Sequence, residues 1–195
     1  MGCVKPHATM LAGSVLCSIS LIFQLIGLAA PGWFFVRLGE KGDALVGLWR
    51  YCHEEPKYDC EDFDSQWTVD AWLEASRAFA IMGFLALVLC AVSSLLVCFV
   101  SHVKVFYSIA PVSSLLASLF IFIEFSVFSG EVERRKNSIG QEFEYHYCFA
   151  LTVIAFILSL IATLLFLCGS LRGPPPRAPK YEVSERQRRD SKQSY

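Results

Sequence analysis

The chain has 195 residues, of which 54% are hydrophobic and 18% charged, and its formal net charge at pH 7 is −1. The length would suit one soluble domain, but the apolar residues are grouped into four long runs instead of being spread as in a soluble core. This distribution excludes an ordinary soluble domain, and we expect no nucleic-acid partner.

Each apolar run is long enough to cross a bilayer, which takes about 20 mostly apolar residues. Polar residues do not recur at every third or fourth position, as they would on a soluble helix. The runs therefore predict four membrane spans, at about residues 9–30, 78–100, 105–128 and 148–171, with two loops on one side, at about residues 31–77 and 129–147.

The first run is longer than the apolar core of a typical signal peptide, and we expect it to be retained as a span. The Met-Gly-Cys that precedes it does not meet the myristoylation pattern, because Pro6 stands where Ser or Thr is needed. Palmitoylation of Cys3 stays open, as it does for Cys98 and Cys168 near the ends of predicted spans. For the latter two, a small apolar filler is the alternative interpretation.

Cys52 and Cys60 are separated by seven residues in the first loop. They make a poor zinc site, because His53 adjoins Cys52 and no second cysteine pair or histidine pair completes four ligands. A disulfide that closes a hairpin is favoured, and it requires an oxidising compartment. Two free thiols in a reducing loop are the alternative.

The same loop alternates short strand-like segments with turns that contain Gly and Pro. We expect a small antiparallel sheet, which a disulfide would stabilise because such sheets are marginal alone. In the second loop, Phe143, Tyr145 and Tyr147 alternate with polar residues, which is typical of an edge strand joining that sheet. The four strands of the first loop are predicted at residues 33–36, 45–49, 50–53 and 58–60.

Residues 66–76 are predicted to form a helix that continues into the second span, with Arg77 at the lipid boundary. Within the third and fourth spans, small residues recur at every fourth position, as on helices that pack closely in lipid. These rows are Ala110, Ser114 and Ser118, and Ala155, Ser159 and Thr163.

Glu124 is the one acidic residue inside a predicted span, which marks it as a functional candidate. It lies about one helical turn from the outer end of its span, so reaching the lipid headgroups is an equal alternative. Gln24, also in the outer part of its span, is a candidate partner. A proton relay would need more such groups, so we do not expect transport through the bundle.

Lys and Arg are nearly balanced across the membrane, with nine on the terminal side and eight on the other. Seven of those nine lie in the 24 residues after Leu171, whereas the first loop is acidic, with ten acids against five bases. The positive-inside rule then places both termini in the cytosol. The disulfide interpretation agrees, since it places the loops outside the cell.

After Leu171 the composition changes to a Pro-rich and then charged stretch, which predicts a disordered cytosolic tail over residues 172–195. Ser191 has two arginines ahead of it, Arg188 and Arg189, as basophilic kinases prefer, and it is a candidate phosphorylation site. An unmodified tail is the alternative.

The sequence contains no Gly-rich phosphate loop and no Cys-x-x-Cys, His-Glu-x-x-His or Gly-x-Ser-x-Gly motif. Its histidines lie in separate segments on both sides of the predicted membrane. We therefore expect no catalytic residue, no cofactor and no metal, and a protein that is not an enzyme.

A motif surrounds the two cysteines: Trp33, then Gly47-Leu48-Trp49, then Cys52 and Cys60, with Arg77 before the second span. It resembles the signature of the superfamily of claudins, peripheral myelin proteins and epithelial membrane proteins. The resemblance covers the four spans and not the tail. It implies an all-α transmembrane four-helix bundle that carries a small, disulfide-bonded extracellular antiparallel β-sheet.

The resemblance implies one of two functions for a multi-pass plasma-membrane protein surrounded by lipid. Claudins act at cell–cell junctions, as adhesion proteins and paracellular barriers or cation-selective channels, and they meet copies of themselves or related four-span proteins in cis and in trans. Members of the calcium-channel gamma, epithelial membrane and peripheral myelin branches act as accessory subunits or membrane organisers, beside a channel or receptor. The chain ends without the Tyr-Val that claudins usually carry for PDZ binding, which weakens the first expectation.

In cation-selective claudins an acidic residue often follows the second cysteine, and Glu61 follows Cys60 here. The resemblance therefore implies that Glu61 contributes to ion selectivity, with Asp59, Asp62 and Asp64 around it. Carboxylates that line a narrow passage concentrate cations and repel anions. The alternative is an acidic, solvated loop that keeps the surface soluble.

Overall fold

The computed structural model describes residues 8–37, 43–53, 59–63, 70–99, 104–139 and 143–171. This part of the chain forms four long helices and a five-stranded antiparallel sheet, and each helix is long and apolar enough to cross a membrane. The helices are α1 (Ala8–Ala29), α2 (Ala71–Phe99), α3 (Lys104–Ile139) and α4 (Tyr147–Leu171). The strands are β1 (Phe34–Arg37), β2 (Asp43–Val46), β3 (Arg50–His53), β4 (Asp59–Asp62) and β5 (Phe143–Tyr145). The predicted fold class is confirmed.

The helices pack in a ring in which α1 contacts α2 and α4, and α3 contacts the same two neighbours. Large aliphatic side chains such as Leu85 and Leu164 point outward, where lipid would surround them. The interior instead holds many small residues, because lipid-embedded helices gain by close approach and not by hiding apolar surface from water. At Gly27 of α1, an added Cβ would lie 2.5 Å from Thr152 Oγ1 of α4, so only glycine allows this approach.

The two predicted rows of small residues face each other across α3 and α4. Ser114 Oγ donates a hydrogen bond to the backbone oxygen of Ser159 at 3.0 Å, and Thr163 Oγ1 donates one to Ser114 Oγ at 2.9 Å. Ala110 and Ala155 are also fully buried. Hydrogen bonds of this kind between membrane helices add about 0.6 kcal/mol each on average.

The strands run in the order β4-β3-β2-β1-β5, and every neighbouring pair is antiparallel. The edge strand predicted in the second loop is present, because β5 pairs with β1 and places Tyr145 opposite Phe34. The bounds predicted for the second strand, 45–49, are wrong, because β2 spans Asp43–Val46. Gly47, Leu48 and Trp49 instead form the turn into β3, because Gly47 N–H bonds to the Arg50 carbonyl at 2.8 Å.

Helix α3 extends beyond Phe128, where the sequence predicts the third span to end, and continues to Ile139. The charge run after Phe128 continues the helix because oppositely charged residues fall one turn apart. Glu131 pairs with Arg134 at 3.6 Å and with Arg135 at 3.4 Å. Val132, next to Glu131 in the chain, is buried in the apolar cluster that contains Trp33 and Leu48. Helix α2 begins at Ala71. Over residues 71–76, the helical segment predicted before the second span is therefore continuous with that span. The earlier part of the prediction, residues 66–69, lies outside the described residues.

Candidate functional site

The sheet is anchored to the helical bundle by Trp33, which is fully buried. Its indole Nε1–H donates a hydrogen bond of 2.7 Å to the carbonyl of Gly27 in the last turns of α1. Its ring lies 4.5 Å from that of Phe128 on α3 and 6.2 Å from that of Phe149 on α4. One side chain therefore contacts three helices, and the backbone of Trp33 also bonds to Val46 of the sheet at 3.0 Å.

Leu48 is the second anchor, since it is fully buried in the same apolar cluster as Trp33. The turn that presents it requires glycine at position 47. A Cβ at Gly47 would lie 2.6 Å from Pro31 Cα and 3.0 Å from the carbonyl oxygen of Ala30. The turn thus packs directly on the backbone at the end of α1, which leaves no room for a side chain.

Arg77 connects the first turns of α2 to this turn. Its Nε–H donates a hydrogen bond of 2.6 Å to the carbonyl of Leu48. Its guanidinium lies over the ring of Trp49 at 4.9 Å and over that of Phe63 at 5.5 Å. Such cation–π contacts contribute about 0.5–2 kcal/mol each, depending on solvation. The motif residues Trp33, Gly47, Leu48, Trp49 and Arg77 therefore form one structural unit where the sheet meets the bundle.

The predicted disulfide is confirmed: Cys52 and Cys60 are bonded and lie directly opposite each other on β3 and β4. Cys52 is buried, whereas every residue of β4 is exposed. The bond therefore adds a covalent link to the pairing that holds this exposed strand on β3. In the described part of the chain, β4 is the edge of the sheet, and no strand pairs with its outer side.

Strand β4 carries the carboxylates that the sequence analysis singled out. Glu61 is exposed and accepts a hydrogen bond from the hydroxyl of Tyr51, its partner across the ladder. Asp62 pairs with Arg50 on β3. Asp59 lies opposite His53 on the same ladder. Three acids in a row of four residues thus cover one edge of the sheet, while Asp64 lies outside the described residues.

Polar contacts join β1 to β5 at the opposite end of the sheet, and they join the extension of α3 to the start of α2. Arg37 pairs with Glu144 at 3.0 Å, and Arg135 on α3 bonds to Asp70 just before α2. Partial burial raises the pKa of the Tyr145 hydroxyl, and the negative charge of Glu133 acts in the same direction. These side chains join both loops into one surface.

Two other residues singled out from the sequence lie near the C-terminal ends of α2 and α4. Cys168 is an exposed, free thiol near the end of α4, and Cys98 lies in the last turn of α2. Cys3 and Ser191 lie outside the described residues, as does the tail over residues 172–195. Across the described ranges, no group of three or more His, Cys, Asp or Glu side chains is arranged to hold a metal ion.

Sequence reasoning missed two parts of this region. The hydrophobic pattern places Phe128 at the end of a span and gives no sign that it contacts Trp33, Phe34 and Trp72. The Asp70–Arg135 contact was missed as well, because the two residues are 65 positions apart in the chain. The clustering of aromatic residues near span ends was the one available signal for Phe128.

The comparisons with known proteins agree with this arrangement. The family model described as the PMP-22/EMP/MP20/Claudin family matches residues 7–166 of the chain. The match includes all four helices up to Phe166 and the whole sheet. A search of curated protein sequences finds no match.

Proposed function

The chain belongs to the PMP-22/EMP/MP20/Claudin family, and on that basis we propose that it is a non-enzymatic, claudin-like protein of cell–cell junctions. It is a multi-pass membrane protein, and its four helices carry a sheet whose outer edge is acidic. In the proposed role, molecules align in the plasma membrane and meet the opposing cell through this sheet. They then form a barrier or a cation-selective passage between the cells.

The main support for the proposal is that the exposed, acidic edge strand β4 is held in a fixed position on the helical bundle. Trp33, Leu48 and Arg77 fix the sheet on the bundle, and the disulfide holds β4 on the sheet. A fixed row of carboxylates creates a local negative potential, which attracts cations when a second surface closes over it. A flexible acidic loop would lack a defined passage.

We propose that the sheet lies outside the cell and that both termini lie in the cytosol. The Cys52–Cys60 bond supports this orientation, because disulfides persist in oxidising compartments. The seven basic residues after Leu171 support it too, by the positive-inside rule.

The proposed partners are lipid, further copies of the chain and related four-span proteins. Among the described residues no strand pairs with the outer side of β4, which supports lateral association, because a free strand edge is a template for another strand.

A second candidate is an accessory subunit or membrane organiser of the calcium-channel gamma, epithelial membrane or peripheral myelin type. The family model itself supports it, since the matched family includes the peripheral myelin and epithelial membrane proteins beside the claudins. In that role the same sheet would contact a channel or receptor in the same membrane.

The location of the tagged chain in polarised epithelial cells separates the two candidates. Concentration at cell–cell contacts, and loss of that concentration when only one of two touching cells expresses the protein, would support the junctional role with contact in trans. An even signal over the whole surface, at matched expression, would contradict that role and support the accessory one.

A further inference from the structure

A cavity of about 430 Å³ opens where the sheet meets the helical bundle. It is lined by Ala29, Trp49, Arg50, Asp62, Phe63 and Arg77. Ala29 is the last residue of α1, and the long uncharged run of α2 begins directly after Arg77. The cavity therefore lies at the level where the chain passes from the apolar layer to the polar surface of the membrane.

The lining combines two guanidinium groups with one carboxylate. Arg50 is paired with Asp62 at 2.5 Å. Arg77 has no carboxylate within 4.0 Å in the described part of the chain, and its hydrogen bond there is the one to Leu48. A guanidinium has five N–H donors, so Arg77 keeps donors for a ligand. Its contacts with Trp49 and Phe63 also hold it in place, so little freedom is lost on binding.

A phosphodiester matches these groups better than other anions at this depth. The planar fork of a guanidinium binds two phosphate oxygens at once. The polar layer of a bilayer presents phosphodiesters at high density. Trp49, half-exposed beside the cavity, is of the type that lies at this layer with its ring in the apolar part. Ala29 and Phe63 add an apolar wall for the glycerol and the first carbons of an acyl chain.

We propose that this cavity binds the phosphodiester headgroup of a phospholipid from the membrane leaflet on the side of the sheet. Arg77 supplies the main contact, Trp49 covers the glycerol region, and Asp62 limits affinity because it occupies Arg50. The lipid would contact the sheet, α1 and α2 together. The site belongs to the single chain, so it does not depend on the junctional role or on the accessory role.

Native mass spectrometry of the full chain in detergent, with dioleoyl phosphatidylcholine added in steps, measures this binding directly. We expect one saturable lipid adduct whose apparent Kd rises about tenfold in Arg77→Gln, because charge-assisted hydrogen bonds are lost. Arg77→Lys should lie between the two, since it keeps the charge and loses the fork. Arg134→Gln makes the same charge change at a site 78% exposed on the α3 extension, and it should bind as the unaltered protein does.

Asp62→Asn provides a second, independent test in case the Arg77→Gln variant does not fold. Asp62 is 71% exposed, so this change should leave the fold intact, and it releases Arg50 for the phosphate. We expect tighter lipid binding by Asp62→Asn. Weaker or unchanged binding, with the Cys52–Cys60 bond intact in the same sample, would overturn the proposal.

Two further ligands identify what the cavity recognises. Dioleoylglycerol has the chains without the phosphate, and glycerophosphocholine has the phosphodiester without the chains. If dioleoylglycerol binds as tightly as the phospholipid, recognition of the phosphate is wrong. If glycerophosphocholine binds as tightly, the ligand is a free phosphodiester and the assignment to lipid is wrong. Much weaker binding of both supports the proposal.

Discussion

The side-chain amide of Gln24 donates a hydrogen bond of 2.7 Å to Glu124 Oε2, across the diagonal of the helical ring from α1 to α3. Both side chains are fully buried. Glu124 therefore does not reach the headgroups, and that one of its two interpretations from the sequence is wrong. Among the described residues, α2 has no Asp, Glu, Lys or Arg between Phe79 and Phe99, and α3 has only Glu124 between Val105 and Gly130. The pair adds a carboxyl and an amide to an interior whose other buried polar side chains are those of Ser and Thr.

We expect the Gln24–Glu124 bond to be a measurable part of the stability of the bundle. Removal of either side chain leaves a buried polar partner unsatisfied, which costs about 1–3 kcal/mol. Glu124→Ala should therefore lower the thermal midpoint in detergent, whereas Glu124→Gln should retain most of the stability because its amide still accepts a hydrogen bond from Gln24. A double-mutant cycle with Gln24→Ala should give a coupling energy of about 0.6–1.7 kcal/mol. The exposed Ser18→Ala in α1 is the control, and strict additivity of Gln24→Ala and Glu124→Ala would contradict the coupling.

The two glycines Gly47 and Gly130 should respond to alanine in opposite directions. A Cβ at Gly47 would meet the backbone of Pro31 at 2.6 Å, so Gly47→Ala should destabilise the sheet by about 1–3 kcal/mol. At Gly130, inside α3, a Cβ has no neighbour within 4 Å, and Gly130→Ala should add about 0.5–1 kcal/mol through helix propensity. Thermal unfolding in detergent compares the two. Equal effects of the same sign would show that the packing of the 47–49 turn has been misjudged.

Loss of the disulfide should act on the sheet and not on the helical ring. Cys52 and Cys60 lie eight positions apart, and a bridge of this kind contributes about 2–4 kcal/mol. After Cys52→Ser with Cys60→Ser, we expect faster amide hydrogen exchange in β3 and β4, with exchange in α1 and α4 unchanged. Cys168→Ser, at an exposed free thiol, is the matched control. Unchanged exchange in β4 would mean that hydrogen bonds alone hold this strand.

The charge of Glu61 should set ion preference if the chain forms a paracellular passage. In epithelial cells that lack other such proteins, expression should raise sodium over chloride permeability, measured as dilution potentials. Glu61→Gln should reduce that preference, and Glu61→Lys should reduce it further or invert it, because the local charge changes by one and then by two units. Glu133→Gln removes one charge from the exposed face of the α3 extension and is the control.

Identical dilution potentials for all the Glu61 variants, with each protein verified at cell contacts, would eliminate the cation passage. A barrier or an accessory role would then remain. Tyr51→Phe refines the result. It frees Glu61 from its hydrogen bond without altering charge, so it should leave the sign of the preference unchanged.

Local patterns predict most of the elements of this fold, though not all of their bounds. Four uninterrupted apolar runs have one stable arrangement in lipid, because every backbone polar group there must bond within a helix. The edge strand around Phe143 and Tyr145 followed from alternation, and the bond between Cys52 and Cys60 from spacing and the lack of zinc ligands. The second strand was placed wrongly because Leu48 and Trp49 are strand-like residues. Their role in a turn depends on the contact of Gly47 with Pro31, a residue far from them along the chain.

Hydrophobic blocks and short-range spacing are enough to predict the four membrane helices, the small sheet and its disulfide. Three contacts could be seen only in the folded chain: Trp33 packs against Phe128, Gln24 bonds to Glu124 across the ring, and Arg77 lies over Trp49 beside an open cavity. Each of these contacts joins residues from different elements. Which faces of the helices meet is set by the packing of all four together, and no single segment carries that information.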